Sequence, residues 1–150
     1  MPQSFVCLNC HLVFSTKNRA PLIQSDWAPR LYEYIGGIVR GKCGRLLSAG
    51  GTPDHVHLAV SLDKKVAVAD ALRLIKTNSS RWVHETFPAL RHFAWQTGYG
   101  AFGVSYSDLD RVKQYIAKQQ EHHRVRTFKE EFLALLKRHQ IEYDERYIWD

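Results

Sequence analysis

The chain predicts an α+β fold built on an antiparallel sheet, and three observations carry that expectation. Val56, Leu58, Val60 and Leu62 alternate with other residues, the period-two pattern of a strand with one buried face. Leu31, Tyr34, Ile35 and Ile38 recur at spacings of three and four, the pattern of an amphipathic helix. The third observation is order: strand, helix, strand, strand, helix, strand, then further helices.

A first strand is expected over about Phe5 to Thr16, closed by the polar turn Lys17-Asn18-Arg19-Ala20-Pro21. A helix follows from Trp27 to Val39, with Asp26 as its cap. Cys43 to Ala49 reads as a second strand, and Gly50 to Asp54 as a tight connection. His55 to Ser61 is the third strand. Asp63 is expected to cap a helix over Lys65 to Thr86, interrupted or kinked at Asn78-Ser79-Ser80. Phe93 to Trp95 begins a fourth strand, continued by Tyr99 to Val104. Ser107 or Asp108 caps a helix from Leu109 to about His122, and a last helix spans Lys129 to Arg138. The tail from Tyr143 to Asp150 mixes polar and aromatic residues, as a segment lying on a surface would. This order is the split β-α-β arrangement of a ferredoxin-like (RRM-like) sandwich, in which helices pack on one sheet face and the other can meet solvent or ligand. With no internal repeat and no linker, residues 1–150 read as a single domain.

Composition narrows the class. Apolar residues make up 45% and charged residues 24% of the 150, so a packed core is affordable and disorder is not the default. No stretch is long and apolar enough to span a bilayer, and Met1 to Cys10 lacks a secretory pattern. A soluble cytoplasmic protein is the expectation. The net charge of +6, from 21 Lys and Arg against 15 Asp and Glu, suits a polyanionic partner such as nucleic acid. Cys7, Cys10 and Cys43 are an odd set for a disulfide framework. Cys7-Leu8-Asn9-Cys10-His11 formally matches a haem-attachment pattern, but it runs straight into a strand and reads as strand residues.

His55 and His57 share the strand face opposite Val56, Leu58, Val60 and Leu62. Two neutral imidazoles side by side make a divalent-metal clamp, although surface strand histidines would show the same spacing. Tyr115 and Gln119 are four apart on one face of the penultimate helix, at the edge of its Leu109/Val112/Ile116 stripe. A phenol and an amide carbonyl would thus emerge at a seam between sheet and helix, facing the histidines. A packing tyrosine and a solvated glutamine would also fit that spacing. A phenol is a poor nucleophile near neutral pH, and a metal that polarises a phosphate oxygen would help its attack.

These residues carry a resemblance. Val13 to Arg19, His55-Val56-His57, Ile75 to Ser80, Trp95 to Phe102 and Tyr115 to His123, in that order, resemble the single-tyrosine HUH transposases of small bacterial insertion sequences, including the repeat-associated tyrosine transposases. The resemblance implies a ferredoxin-like sheet with additional C-terminal helices carrying the nucleophile. It implies Mg²⁺ or Mn²⁺ held by His55, His57 and Gln119, and Tyr115 as a nucleophile that forms a 5′-phosphotyrosine and frees a 3′-OH. It further implies single-stranded DNA with hairpin or palindromic ends as substrate, and a homodimer in which the tyrosine helix of one subunit can complete the site of the other. Lys17, Arg19, Lys76 and Arg81 are candidates for phosphate contacts. Tyr99, with Trp95 and Phe102, is a candidate for base stacking or for core. His122 and His123 do not read as metal ligands; His122, seven after Tyr115, could lie near the site and bind phosphate when protonated. The rival expectations are a non-catalytic single-strand nucleic-acid binding module, and a metal-dependent nuclease that uses water in place of Tyr115.

Overall fold

The centre of the sheet is β1 (Asn9–Ser15), which pairs antiparallel with β3 (His55–Leu62) on one side and β4 (Gly100–Val104) on the other. Outside β3 lies β2 (Gly44–Thr52), giving the order β2-β3-β1-β4. This computed structural model describes residues 3–122 and 126–150; the His122 side chain and His123 fall outside the described residues.

Directly paired residues share a sheet face. Leu12, Phe14, Val56, Leu58 and Val60 are fully buried on one face, against α1 (Ala28–Lys42) and α2 (Val68–Thr86). This is the large core, as the alternation in β3 predicts. The other face carries His11, Val13 and Ser15 of β1, His55 and His57 of β3, Ser48, Gly50 and Thr52 of β2, and Gly100 and Phe102 of β4. It is not open to solvent. The C-terminal helices α3 (Leu109–Ala117), α4 (Gln119–His122) and α5 (Phe128–Arg138) follow β4, and both histidines are fully buried. Val13, Phe102, Phe128, Phe132 and Leu136 form a second, smaller apolar cluster beneath α5.

Several boundaries differ from the sequence reading for local reasons. Trp27, not Asp26, occupies the cap position of α1; its ring is buried against Phe87 and Phe93, and a proline in the first turn sets the helix start. Asp63 accepts from the Lys65 N–H and orders a turn, so α2 starts later, at Val68. Asn78 and Ser79 do not break α2. They bond back to the Leu74 and Lys76 carbonyls at 2.9 and 3.3 Å, and Ser79 accepts the Trp95 indole N–H. Trp95 forms no strand of its own: it makes an isolated bridge to Thr16, just past β1, and its ring packs edge-on against Phe14. The helix expected over 109–122 is broken at Lys118 (φ −106°, ψ 25°). Thr127 caps α5, its hydroxyl oxygen accepting the Glu130 N–H at 3.2 Å.

In β2 the register shifts between Leu46 and Ser48, so Leu47 is an extra residue, a β-bulge. Gly50 sits opposite His57 on the covered face, where α3 crosses. A Cβ there would overlap the Ile116 carbonyl oxygen, so only glycine allows the helix backbone this close.

Candidate active site

β3 delivers His55 and His57 to the covered face through its period-two geometry. Each ring is anchored at Nδ1. The His55 Nδ1–H donates to the Asp54 carboxylate at 2.7 Å, and Thr52 Oγ1 is 2.9 Å away, its own hydroxyl donating to Asp54. His57 Nδ1 is 2.8 Å from His11 Nε2. Both anchors leave Nε2 facing inward, the second-sphere pattern that orients metal-binding imidazoles.

Facing the two Nε2 atoms is Glu131 of α5, almost fully buried. Its Oε1 lies 2.9 Å from His57 Nε2 and 3.5 Å from His55 Nε2. Its Oε2 accepts a hydrogen bond from the Tyr115 hydroxyl. The Gln119 Oε1 is 3.3 Å from His55 Nε2, and its amide N–H donates to the Tyr115 carbonyl. Tyr115, Gln119, His55 and His57 thus converge within one chain.

The site's electrostatics follow from burial. Burial and the neighbouring His57 hold the His11 imidazole neutral, its pKa pulled down to about 3. Burial also opposes charge on His55, yet the hydrogen bonds to Asp54 and Glu131 raise its pKa. Burial raises the Tyr115 phenol, and the adjacent Glu131 carboxylate raises it further, against smaller opposite effects of Gln119 and Arg126. The phenol is therefore held protonated, with a carboxylate at its proton.

His55, His57 and Glu131 form a compact metal-competent cluster, with ligand atoms all within 4.8 Å of one another. Two neutral nitrogens, one carboxylate and, beside them, the Gln119 carbonyl form a donor set that fits a divalent ion of the Mg²⁺, Mn²⁺ or Zn²⁺ kind.

The other expected contacts are spread over the molecule. Lys17 is exposed in the turn after β1, and Arg19 lies 5.8 Å from the Trp149 ring. Lys76 donates to the Gln96, Thr97 and Gly98 carbonyls at 2.9, 3.3 and 2.6 Å, and burial lowers its pKa to about 8. Its ammonium thus braces the loop before β4. Arg81 is exposed on α2, the helix layer on the far side of the sheet. Tyr99 is partly exposed, 5.5 Å from the Lys76 ammonium, whereas Trp95 and Phe102 are buried.

Glu131 and His11 escaped the sequence reading. Glu131 carries a signal in retrospect, since it interrupts an apolar stripe formed by Phe128, Phe132 and Leu136. His11 is two residues before Val13 on the same strand face, but its partner is 46 residues away and leaves no local trace.

The sequence matches the family described as "Transposase IS200 like" over residues 4–119, a segment that ends before α5 and Glu131. It is 24% identical over 119 residues to the ISDra2 transposase TnpA of Deinococcus radiodurans, covering 76% of this chain and 85% of that protein. The fold is similar to the crystal structure of a candidate transposase from Deinococcus radiodurans R1, with a TM-score of 0.64, 25% identity, and coverage of 77% of this chain and 94% of that one. It is also similar to a REP-associated tyrosine transposase bound to a REP hairpin, with a TM-score of 0.56, 16% identity, and coverage of 77% and 68%; that likeness bears on the fold alone. The match spans all four strands, both histidines and Tyr115, and on that ground the chain belongs to the IS200-like transposase family.

Proposed function

We propose that the protein is a metal-dependent transesterase that cuts and rejoins single-stranded DNA through a covalent bond to Tyr115. The observation that carries this reading is the shared carboxylate: Glu131 turns one oxygen to the two histidines and the other to the Tyr115 hydroxyl. His55, His57 and Glu131 would hold Mg²⁺ or Mn²⁺, with Gln119 as a further ligand. When bound, such an ion supplies Lewis acidity to a phosphate oxygen.

The chain's own groups do the rest. Glu131 Oε2 takes the phenol proton as the Tyr115 oxygen bonds to phosphorus. The phosphorus–O3′ bond breaks, and the 3′ oxygen leaves as a hydroxyl once it gains a proton. The product is a 5′-phosphotyrosine, which conserves the phosphodiester energy for rejoining. Glu131 accepts from the phenol hydroxyl and Gln119 donates to the Tyr115 backbone carbonyl, which together fix the residue against the histidines.

Residues 1–150 would act as one domain, on DNA flanked by a hairpin or palindrome, and as a homodimer. Family membership supports the strand-transfer chemistry.

The test is incubation of the protein with Mn²⁺ and hairpin-bearing single-stranded DNA. A denaturation-resistant protein–DNA adduct is expected with the natural sequence and absent in Tyr115→Phe. An adduct that persists in Tyr115→Phe overturns the assignment, as does metal-dependent cleavage with no adduct.

A further inference from the structure

Next to the Tyr115 phenol lies a cavity of about 350 Å³ between α3, α5 and the strands. Gln119 does not line it. Its floor is His11 and Phe102; α3 contributes Arg111 and Val112, and α5 contributes Ala134, Leu135 and Arg138. Residues 111 and 115, like 131, 134 and 138, recur at helical spacing, so each helix presents one stripe to the cavity.

The lining mixes apolar side chains with the polar groups of His11, Tyr115 and Glu131, and it carries three arginines, Arg111, Arg126 and Arg138, beside Asp108. Arg111 is paired with Asp108 at 3.2 Å, and Glu131 is turned to the histidines and the phenol. Among the described residues, Arg126 and Arg138 enter no ion pair. Arg126 lines the same cavity as Tyr115. At the mouth the exposed His139 ring stacks on Phe102, with centroids 4.6 Å apart and planes 22° apart. Partial burial and the neighbouring Arg138 charge lower the His139 pKa.

A flat apolar body with an anionic group at its edge matches this wall. We propose that the cavity is a nucleotide subsite: it takes one unpaired base of the DNA strand, from the nucleotide flanking the phosphate that Tyr115 attacks, with Arg126 and Arg138 on that nucleotide's phosphate. The volume lies at the lower end of the roughly 300–1,000 Å³ of small-molecule sites, enough for one base with its sugar. The subsite rests on the reading of Tyr115 as nucleophile, and it gives the strand a fixed register at the phenol. α5 supplies Glu131, Ala134, Leu135 and Arg138, so part of the wall lies outside the segment shared with the family model.

The experiment scans 2-aminopurine through a single-stranded oligonucleotide, one position at a time, bound to full-length Tyr115→Phe protein. One position should change in fluorescence on binding, and Ala134→Trp, which fills the cavity, should remove that change while DNA is still retained. A uniform response along the strand, or a response unaltered by Ala134→Trp, overturns the subsite. Should Ala134→Trp fail to fold, an abasic nucleotide scanned through the substrate of the unmodified protein gives the same information. An abasic site at that position should slow adduct formation about tenfold, the size of one lost base–aromatic contact. Equal rates at every position refute the subsite while leaving the phosphotyrosine intact. No adduct on the intact strand refutes the nucleophile instead, a failure the fluorescence scan does not share.

Discussion

The two faces of the sheet are made from the same strands and solve opposite problems. On the α1/α2 side the residues of β1 and β3 are Leu12, Phe14, Val56, Leu58 and Val60, and packing alone holds them. On the α3/α5 side the same strands bury His11, Ser15, His55 and His57. There, stability depends on hydrogen-bond partners, and among the described residues no buried side-chain nitrogen or oxygen lacks one. The contrast teaches that alternation sorts residues between faces without deciding what each face is for. One face spends its burial on cohesion. The other holds polar groups in fixed positions, at some cost in desolvation.

Substitutions can break that division of labour. The largest effect is expected from Tyr115→Phe, which should keep the fold and reduce adduct formation by at least about 10³-fold, read on a denaturing gel. Next is a matched pair on β3. Leu58→Ala should lower unfolding free energy by about 2–5 kcal/mol in urea titrations, through the cavity it leaves. His57→Ala should cost only about 1–3 kcal/mol, from the partners it strands, yet eliminate cleavage. If the two variants lose stability and activity in the same proportion, the faces are not functionally distinct.

Glycines sharpen the comparison. Gly50→Ala should push α3 off β2, costing about 1–3 kcal/mol and slowing cleavage by displacing Tyr115. Gly37→Ala on α1 meets nothing within 4 Å and should stabilise the helix by about 0.5–1 kcal/mol with cleavage unchanged. Thermal melts of the two variants should therefore move in opposite directions.

A further effect is on acid stability. His11 stays neutral down to about pH 3 in the folded protein, whereas the unfolded chain protonates it near pH 6.5. Between those values the unfolded state binds more protons, so the contribution is complete above pH 6.5 and is lost as pH falls. The slope is about 1.4 kcal/mol per pH unit for one proton. His11→Asn should flatten this part of the stability–pH curve measured by urea titration. An unchanged curve would show that His11 is accessible to protons in the native fold.

Legibility in the sequence followed the range of the interactions. β3 was visible because its alternation is local, and His55 and His57 came with it. Tyr115 and Gln119 were visible as a helical pair, although the break at Lys118 places the two in separate helices. Their position at the edge of the apolar stripe set them at a seam facing the histidines, and the family resemblance gave the four residues their roles. Coverage of the histidine face was not legible, because it depends on α5 folding back so that Glu131 meets a strand 74 residues earlier. Lys76 read as a surface cation, and only the path of the loop before β4 shows that three backbone carbonyls receive it.

The bulge at Leu47 has a consequence for how this sheet tolerates insertions and deletions. With that residue accommodated outside the ladder, the downstream half of β2 is advanced by one step, and Gly50 instead of Ala49 arrives beneath the tyrosine helix. Removing Leu47 would leave every existing pair intact, so β2 has a built-in slot for length variation. β3 has none: a single residue gained or lost between His55 and Leu62 would turn an imidazole into the hydrocarbon layer and a leucine or valine toward the carboxylate. Length polymorphism among related chains should therefore collect at position 47 and be absent from the histidine strand.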